Sequence, residues 1–141
     1  MKTGRFNVGV GLLTMAAFML YGFLLVYLRD FAPDKEAWVA SYSTGAHFEA
    51  RLAHVHGNLF AILNVVLGFV LARLESASDK ARTWAAALGV AGLLMPVGIL
   101  GEVYLGLSPV FVLAGAAAMT ASVVWTGALT LKHWGQGRTA S

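Results

Sequence analysis

The sequence predicts an all-α bundle of four transmembrane helices, and three observations carry that expectation. Of 141 residues, 58% are hydrophobic and only 12% charged, with a mean hydropathy of +0.71. Soluble domains carry charge on about 25% of their residues. Four apolar stretches approach the roughly 20 residues that a helix needs to cross the hydrocarbon core. The connections between them are short and collect most of the charge. Residues 1–141 therefore read as one integral membrane domain with little mass outside the lipid.

The first span is expected over Val8 to Leu28. It follows Lys2 and Arg5, as a secretory signal would, but its apolar run outlasts the roughly 7 to 15 residues of a signal core. It also ends in Tyr27-Leu28-Arg29 instead of small residues, so it reads as a retained helix. Arg29 to Arg51 forms the longest connection, with Pro33, Asp34, Lys35 and Glu36 and then a Ser43-Thr44-Gly45 turn signal. The second span is expected over Leu52 to Leu71, and the polar segment Ala72 to Thr83 leads to a third over Trp84 to Leu105. Pro96, followed by Gly98 and Gly101, should kink the third helix or free a carbonyl, widening the space beside Glu102. The turn Gly106-Leu107-Ser108-Pro109 then folds a fourth span, Val110 to Leu131, back as an antiparallel hairpin. Small-residue runs at Ala85-Ala86-Ala87 and Gly115-Ala116-Ala117-Ala118 suit close approach of membrane helices. The scattered methionines read as core filling.

Seven basic residues, Lys2, Arg5, Arg73, Lys80, Arg82, Lys132 and Arg138, fall on one side of this topology. Only Arg29, Lys35 and Arg51 fall on the other, among Asp30, Asp34, Glu36 and Glu49. The positive-inside rule places both termini in the cytoplasm. Topology thus accounts for the net charge of +3 without a nucleic-acid partner. The chain has no cysteine, which removes disulfides, thiolate ligands and cysteine catalysis.

Chemistry should be sought in Ala53-His54-Val55-His56-Gly57-Asn58, at the mouth of the second span. Ionisable groups inside a span are costly and functional by default. If Leu52 lies level with Gly106, then His54 lies level with Tyr104 and His56 with Glu102. Arg51, Asn58 and Tyr27 fall within about two helical turns of the same plane. Arg51, His54 and Asn58 share one stripe of the helix, while His56, about 200° from His54, faces nearly the other way. Neutral imidazole is the commonest protein ligand for iron, so either histidine is a candidate metal ligand or proton carrier. The bland alternative is a histidine bonded to water or a carbonyl.

Glu102, the only carboxylate inside a span, either pairs with Arg51 or orients a histidine and serves as acid or base. Tyr104 either donates to a substrate oxygen or joins Tyr27 and Trp38 in the interfacial aromatic belt. Asn64, deeper on the helix, needs interhelical partners. His47 and His133 read as solvent or headgroup contacts.

Glu49-Ala50-Arg51-Leu52-Ala53-His54, with Glu102-Val103-Tyr104-Leu105-Gly106-Leu107-Ser108-Pro109, resembles two families of four-helix membrane proteins. The first is styrene oxide isomerase, whose second helix opens with an Arg-Ala-His-like segment and whose third ends in a tyrosine before Ser-Pro. The resemblance covers roughly half the chain. It implies a homotrimer with haem b between subunits, held by His54 or His56 with Arg51 beside the cofactor. Ferric iron would polarise the oxygen of an apolar aromatic epoxide, and a hydride shift would give an aldehyde. Tyr104 would position substrate and Asn58 or Asn64 contact its oxygen, while Glu102 has no counterpart. The implied setting is multi-pass in a bacterial inner membrane, against lipid.

The second family is the MAPEG glutathione enzymes, which Phe48-Glu49 and Ala53-His54 resemble. His56 stands where that family has asparagine. Leu59 to Leu71 has no acid and the third span no arginine to hold glutathione carboxylates. A third reading is a haem electron-transfer or gas-sensing subunit with protein ligands on both sides of the iron.

Overall fold

The computed structural model describes residues 2–134; Arg138, counted above for orientation, lies outside them. All regular structure among the described residues is helical. The elements are α1 (Lys2–Asp30), α2 (Lys35–Ala40), α3 (Ala46–Arg73), α4 (Asp79–Ala91), α5 (Leu94–Leu105) and α6 (Val110–His133). Four helical stretches are long and apolar enough to cross a membrane: Gly4–Asp30, Ala46–Arg73, Asp79–Leu105 and Val110–His133. The expected all-α four-span bundle is therefore the observed fold.

All four spans outrun the apolar stretches at one end or both, because their polar ends are helical too. The Ser78 hydroxyl caps α4 by accepting the Ala81 N–H at 3.3 Å, and Asp79 in its first turn suits the helix dipole. Arg73 in the last turn of α3 does the same at the opposite pole. The short helix α2 lies in a connection where the sequence suggested only loop. Gly45 (φ 81°) admits the chain to α3, and Gly106 (φ 64°) closes α5 in the left-handed conformation.

The third span is broken, as Pro96 implied, but three residues before the proline. Pro96 has no N–H for the Gly92 carbonyl, which instead accepts from Met95 at 3.0 Å; the Leu93 N–H turns back to Val90 at 3.0 Å. The helix therefore separates into α4 and α5 around Gly92 and Leu93. The Gly89 carbonyl loses its partner four residues on and accepts the Asn64 side-chain amide at 2.9 Å.

The third span is the hub, with half its apolar window buried; α1 and α6 lie at the periphery with 11% and 22%. Phe60, Leu67, Leu93 and Met119 form one buried cluster across α3, the helix break and α6. Helices α1 and α3 approach backbone to backbone. A Cβ on Gly68 would stand 2.6 Å from the Gly4 carbonyl oxygen, so Gly68→Leu should drive the pair apart and cost about 2 kcal/mol. Thermal unfolding in detergent should show the loss, with Gly9→Leu unaffected because open space surrounds Gly9.

The connection between α1 and α3 is pinned, not splayed. The His47 ring stacks on Trp38 (4.8 Å between centroids, 18°) and meets Tyr42 edge-on at 5.3 Å. Its Nδ1–H donates to the Trp38 carbonyl at 3.0 Å, and the residue is only 4% exposed. This corrects the expectation that His47 meets solvent or headgroups. Trp38 serves this stack, whereas Tyr27 is exposed as a belt residue would be.

Candidate functional site

Helical phase separates the two histidines of α3, as the sequence required. His54 turns toward α1 and lies flat on Gly22, where a Cβ would stand 2.7 Å from its Cε1. Tyr21 lies beside it, ring centroids 6.4 Å apart and tilted 41°. The Tyr21 hydroxyl in turn shares a 3.0 Å hydrogen bond with the Tyr104 hydroxyl at the end of α5. His54 and Tyr104 are therefore linked through Tyr21, a residue to which the sequence drew no attention. Phe18 meets Tyr21 edge-on at 6.3 Å and covers Gly57, where any side chain would strike its ring. Asn58 is on the His54 side and donates to the His54 carbonyl at 2.9 Å. His54 Nδ1 is buried with no hydrogen-bond partner.

His56 faces the other side and is differently prepared. Its Nδ1 lies 2.9 Å from the Leu52 carbonyl oxygen. A carbonyl only accepts, so Nδ1 carries the proton and Nε2 keeps its lone pair. Phe60 packs edge-on at 6.2 Å, fixing the ring plane. A carbonyl-held imidazole of defined tautomer is the arrangement that metal-ligating histidines adopt. His56, Leu63 and Val70 recur at seven-residue spacing along one side of α3. On that side an apolar groove of about 420 Å3 opens between α3 and α6, lined by Leu63, Leu67, Val70, Val123 and Thr130.

Glu102 is half-buried, and no described cation lies within ion-pair distance of it. The pairing with Arg51 is not formed. The Arg51 guanidinium instead lies 3.9 Å over the Tyr42 ring and reaches the Tyr42 carbonyl at 3.5 Å, because the pinned connection between α1 and α3 offers a closer partner. Nor does a cavity open beside Glu102 among those described; the break near Pro96 lies deeper than its sequence position suggested.

Asn64 belongs to a separate polar cluster about 15 Å deeper than His54 along the helix. Fully buried, it donates to the carbonyls of Phe60 (3.0 Å) and Gly89 (2.9 Å) and accepts from Asn7 Nδ2 at 3.0 Å. That occupation, a helix depth away from His54, removes it as a contact for a substrate oxygen beside His54. Asn7 also donates to the Ala86 carbonyl at 3.0 Å, and Ser122 to the Ala85 carbonyl at 2.7 Å. Spans one, two and four thus each clasp the α4 backbone by a buried polar side chain. Asn7 escaped notice because it precedes the apolar run, and Ser122 because one hydroxyl barely lowers the hydropathy of α6. Tyr21 was detectable as the one tyrosine of the first span set inward of the terminal Tyr27.

No three histidine, aspartate or glutamate side chains converge among the described residues. A metal at this site would draw most of its ligands from the group that carries it. The fold and these polar groups define a multi-pass helical membrane protein with a cluster of histidine, tyrosine and asparagine side chains toward one end of the bundle. No family model, curated protein or solved structure matches the chain.

Proposed function

We propose that this protein binds haem b through His56 and isomerises an apolar aromatic epoxide to an aldehyde. The observation that carries the reading is the His56 ring, its Nδ1–H held by the Leu52 carbonyl and its Nε2 left as a free lone pair. One such nitrogen suffices for a metal whose other ligands come from a macrocycle. The likeness to styrene oxide isomerase at Glu49 to His54 and Glu102 to Pro109 supplies the reaction class. In this reading the protein is a homotrimer in a bacterial inner membrane with both termini cytoplasmic. The many exposed large apolar side chains, among them Leu13, Phe23 and Leu131, supply surface for lipid and neighbouring copies.

Bound ferric haem supplies a Lewis acid for the epoxide oxygen, which needs no proton transfer to weaken the C–O bond. The protein's own residues do the rest. Because Tyr104 and Asn58 lie on the His54 face of α3, opposite His56, it is a neighbouring copy in the proposed trimer that would bring its Tyr104 hydroxyl, as hydrogen-bond donor, and the free N–H and carbonyl oxygen of its Asn58 amide to the substrate oxygen. Apolar spans exclude water, so the ring-opened substrate rearranges instead of being hydrolysed. Glu102, level with His56 in the expected register and without a cation partner among the described residues, would add its field to that of the cofactor site.

Haem-reconstituted protein should convert styrene oxide to phenylacetaldehyde; haem-loaded protein that leaves styrene oxide unchanged contradicts the isomerase reading. Glu102→Gln, which keeps the shape and removes the charge, should shift the haem absorption measurably more than Asp34→Asn in the exposed loop. Equal shifts would remove Glu102 from the site.

A further inference from the structure

We propose that Tyr21 is a positioning residue, orienting the Tyr104 hydroxyl so that its proton points at the substrate oxygen. The inference rests on the reading above, in which Tyr104 contacts substrate. Two hydroxyls that share one hydrogen bond hold one proton between them and leave the other free. For Tyr104 to donate outward, Tyr21 must donate to Tyr104 across the observed 3.0 Å. A hydroxyl that accepts such a bond becomes a stronger donor itself.

The surroundings assign the two phenols these unequal parts. Tyr104 is 51% exposed at the end of α5, where a molecule dissolved in the outer leaflet can reach it. Tyr21 is half-buried and its ring is held on two sides, edge-on by Phe18 at 6.3 Å and by His54 at 6.4 Å. His54 can lie there only because residue 22 is glycine. The aromatic packing of α1 therefore fixes one hydroxyl, and that hydroxyl fixes the other, on an otherwise free side chain. The site takes an apolar ligand with a single acceptor oxygen.

The test uses full-length haem-reconstituted protein in nanodiscs with Tyr21→Phe, Tyr104→Phe and the double variant. Two readouts are taken: turnover of styrene oxide, and binding of acetophenone, an unreactive aromatic with one carbonyl oxygen. Each single variant should lower kcat and weaken acetophenone about three- to tenfold, the worth of one hydrogen bond. The double variant should be no worse than Tyr104→Phe, because Tyr21 acts only through Tyr104. The haem spectrum should not move in any of them. A merely structural Tyr21 predicts unchanged kcat in Tyr21→Phe or additive losses in the double variant, and either result overturns the proposal. If acetophenone binds with this pattern while styrene oxide is not turned over, the positioning role stands and the isomerase reading fails. If wild-type protein neither turns over styrene oxide nor binds acetophenone, both fall.

Discussion

Asn64→Leu is expected to destabilise the bundle by about 3 kcal/mol, more than any other single polar substitution inside the membrane. Three hydrogen bonds are lost, each worth roughly 0.6 to 1.7 kcal/mol between membrane helices. One of them cannot be replaced locally, since the Gly89 carbonyl has no helical partner once Leu93 turns back to Val90. Leucine leaves that carbonyl bare in hydrocarbon and strips Asn7 of one of its two acceptors. Asn58→Leu makes the control, because Asn58 bonds only to the carbonyl one turn back in its own helix. Denaturation in mixed micelles should separate the two variants clearly. Asn7→Leu and Asn64→Leu should also be strongly non-additive, as they share a bond. The clasped Gly89 carbonyl lies just before the break that leads into α5, so the loss should also be felt at Tyr104 on α5.

The four spans were legible because hydropathy and span length are written locally in the chain. Phase was equally legible: the 100° step per residue separated His54 from His56, and both face as that step requires. What the sequence withheld was partnership. The choice between Arg51–Glu102 and Arg51–Tyr42 turns on how a loop folds over the helix ends, which no periodicity records. Asn64 shows the same limit, since its partners Asn7 and Gly89 lie far away in sequence, and the need for it arises from a break set by Pro96. The tautomer of His56 was likewise invisible, because it depends on the rotamer that meets the Leu52 carbonyl.

The second large effect is expected at His56. His56→Ala should weaken haem binding by more than about 100-fold, since even the outer partners of a ligating histidine are worth about 10- to 100-fold. His54→Ala should retain the cofactor, because that ring is committed to the Gly22 and Tyr21 side of α3. Gly22→Ala, which displaces the His54 ring without touching His56, should also retain it and report chiefly on the tyrosine pair. Together the three variants distinguish one axial histidine from the paired ligation of an electron carrier, in which His54→Ala and His56→Ala would each abolish the native spectrum.

The most direct measurement is the optical spectrum of detergent-purified protein reconstituted with haem b, taken for wild type, His54→Ala and His56→Ala. A Soret band present in wild type and His54→Ala and absent in His56→Ala is the expected result. A band that survives His56→Ala, or no band in the wild-type protein, contradicts haem ligation by His56.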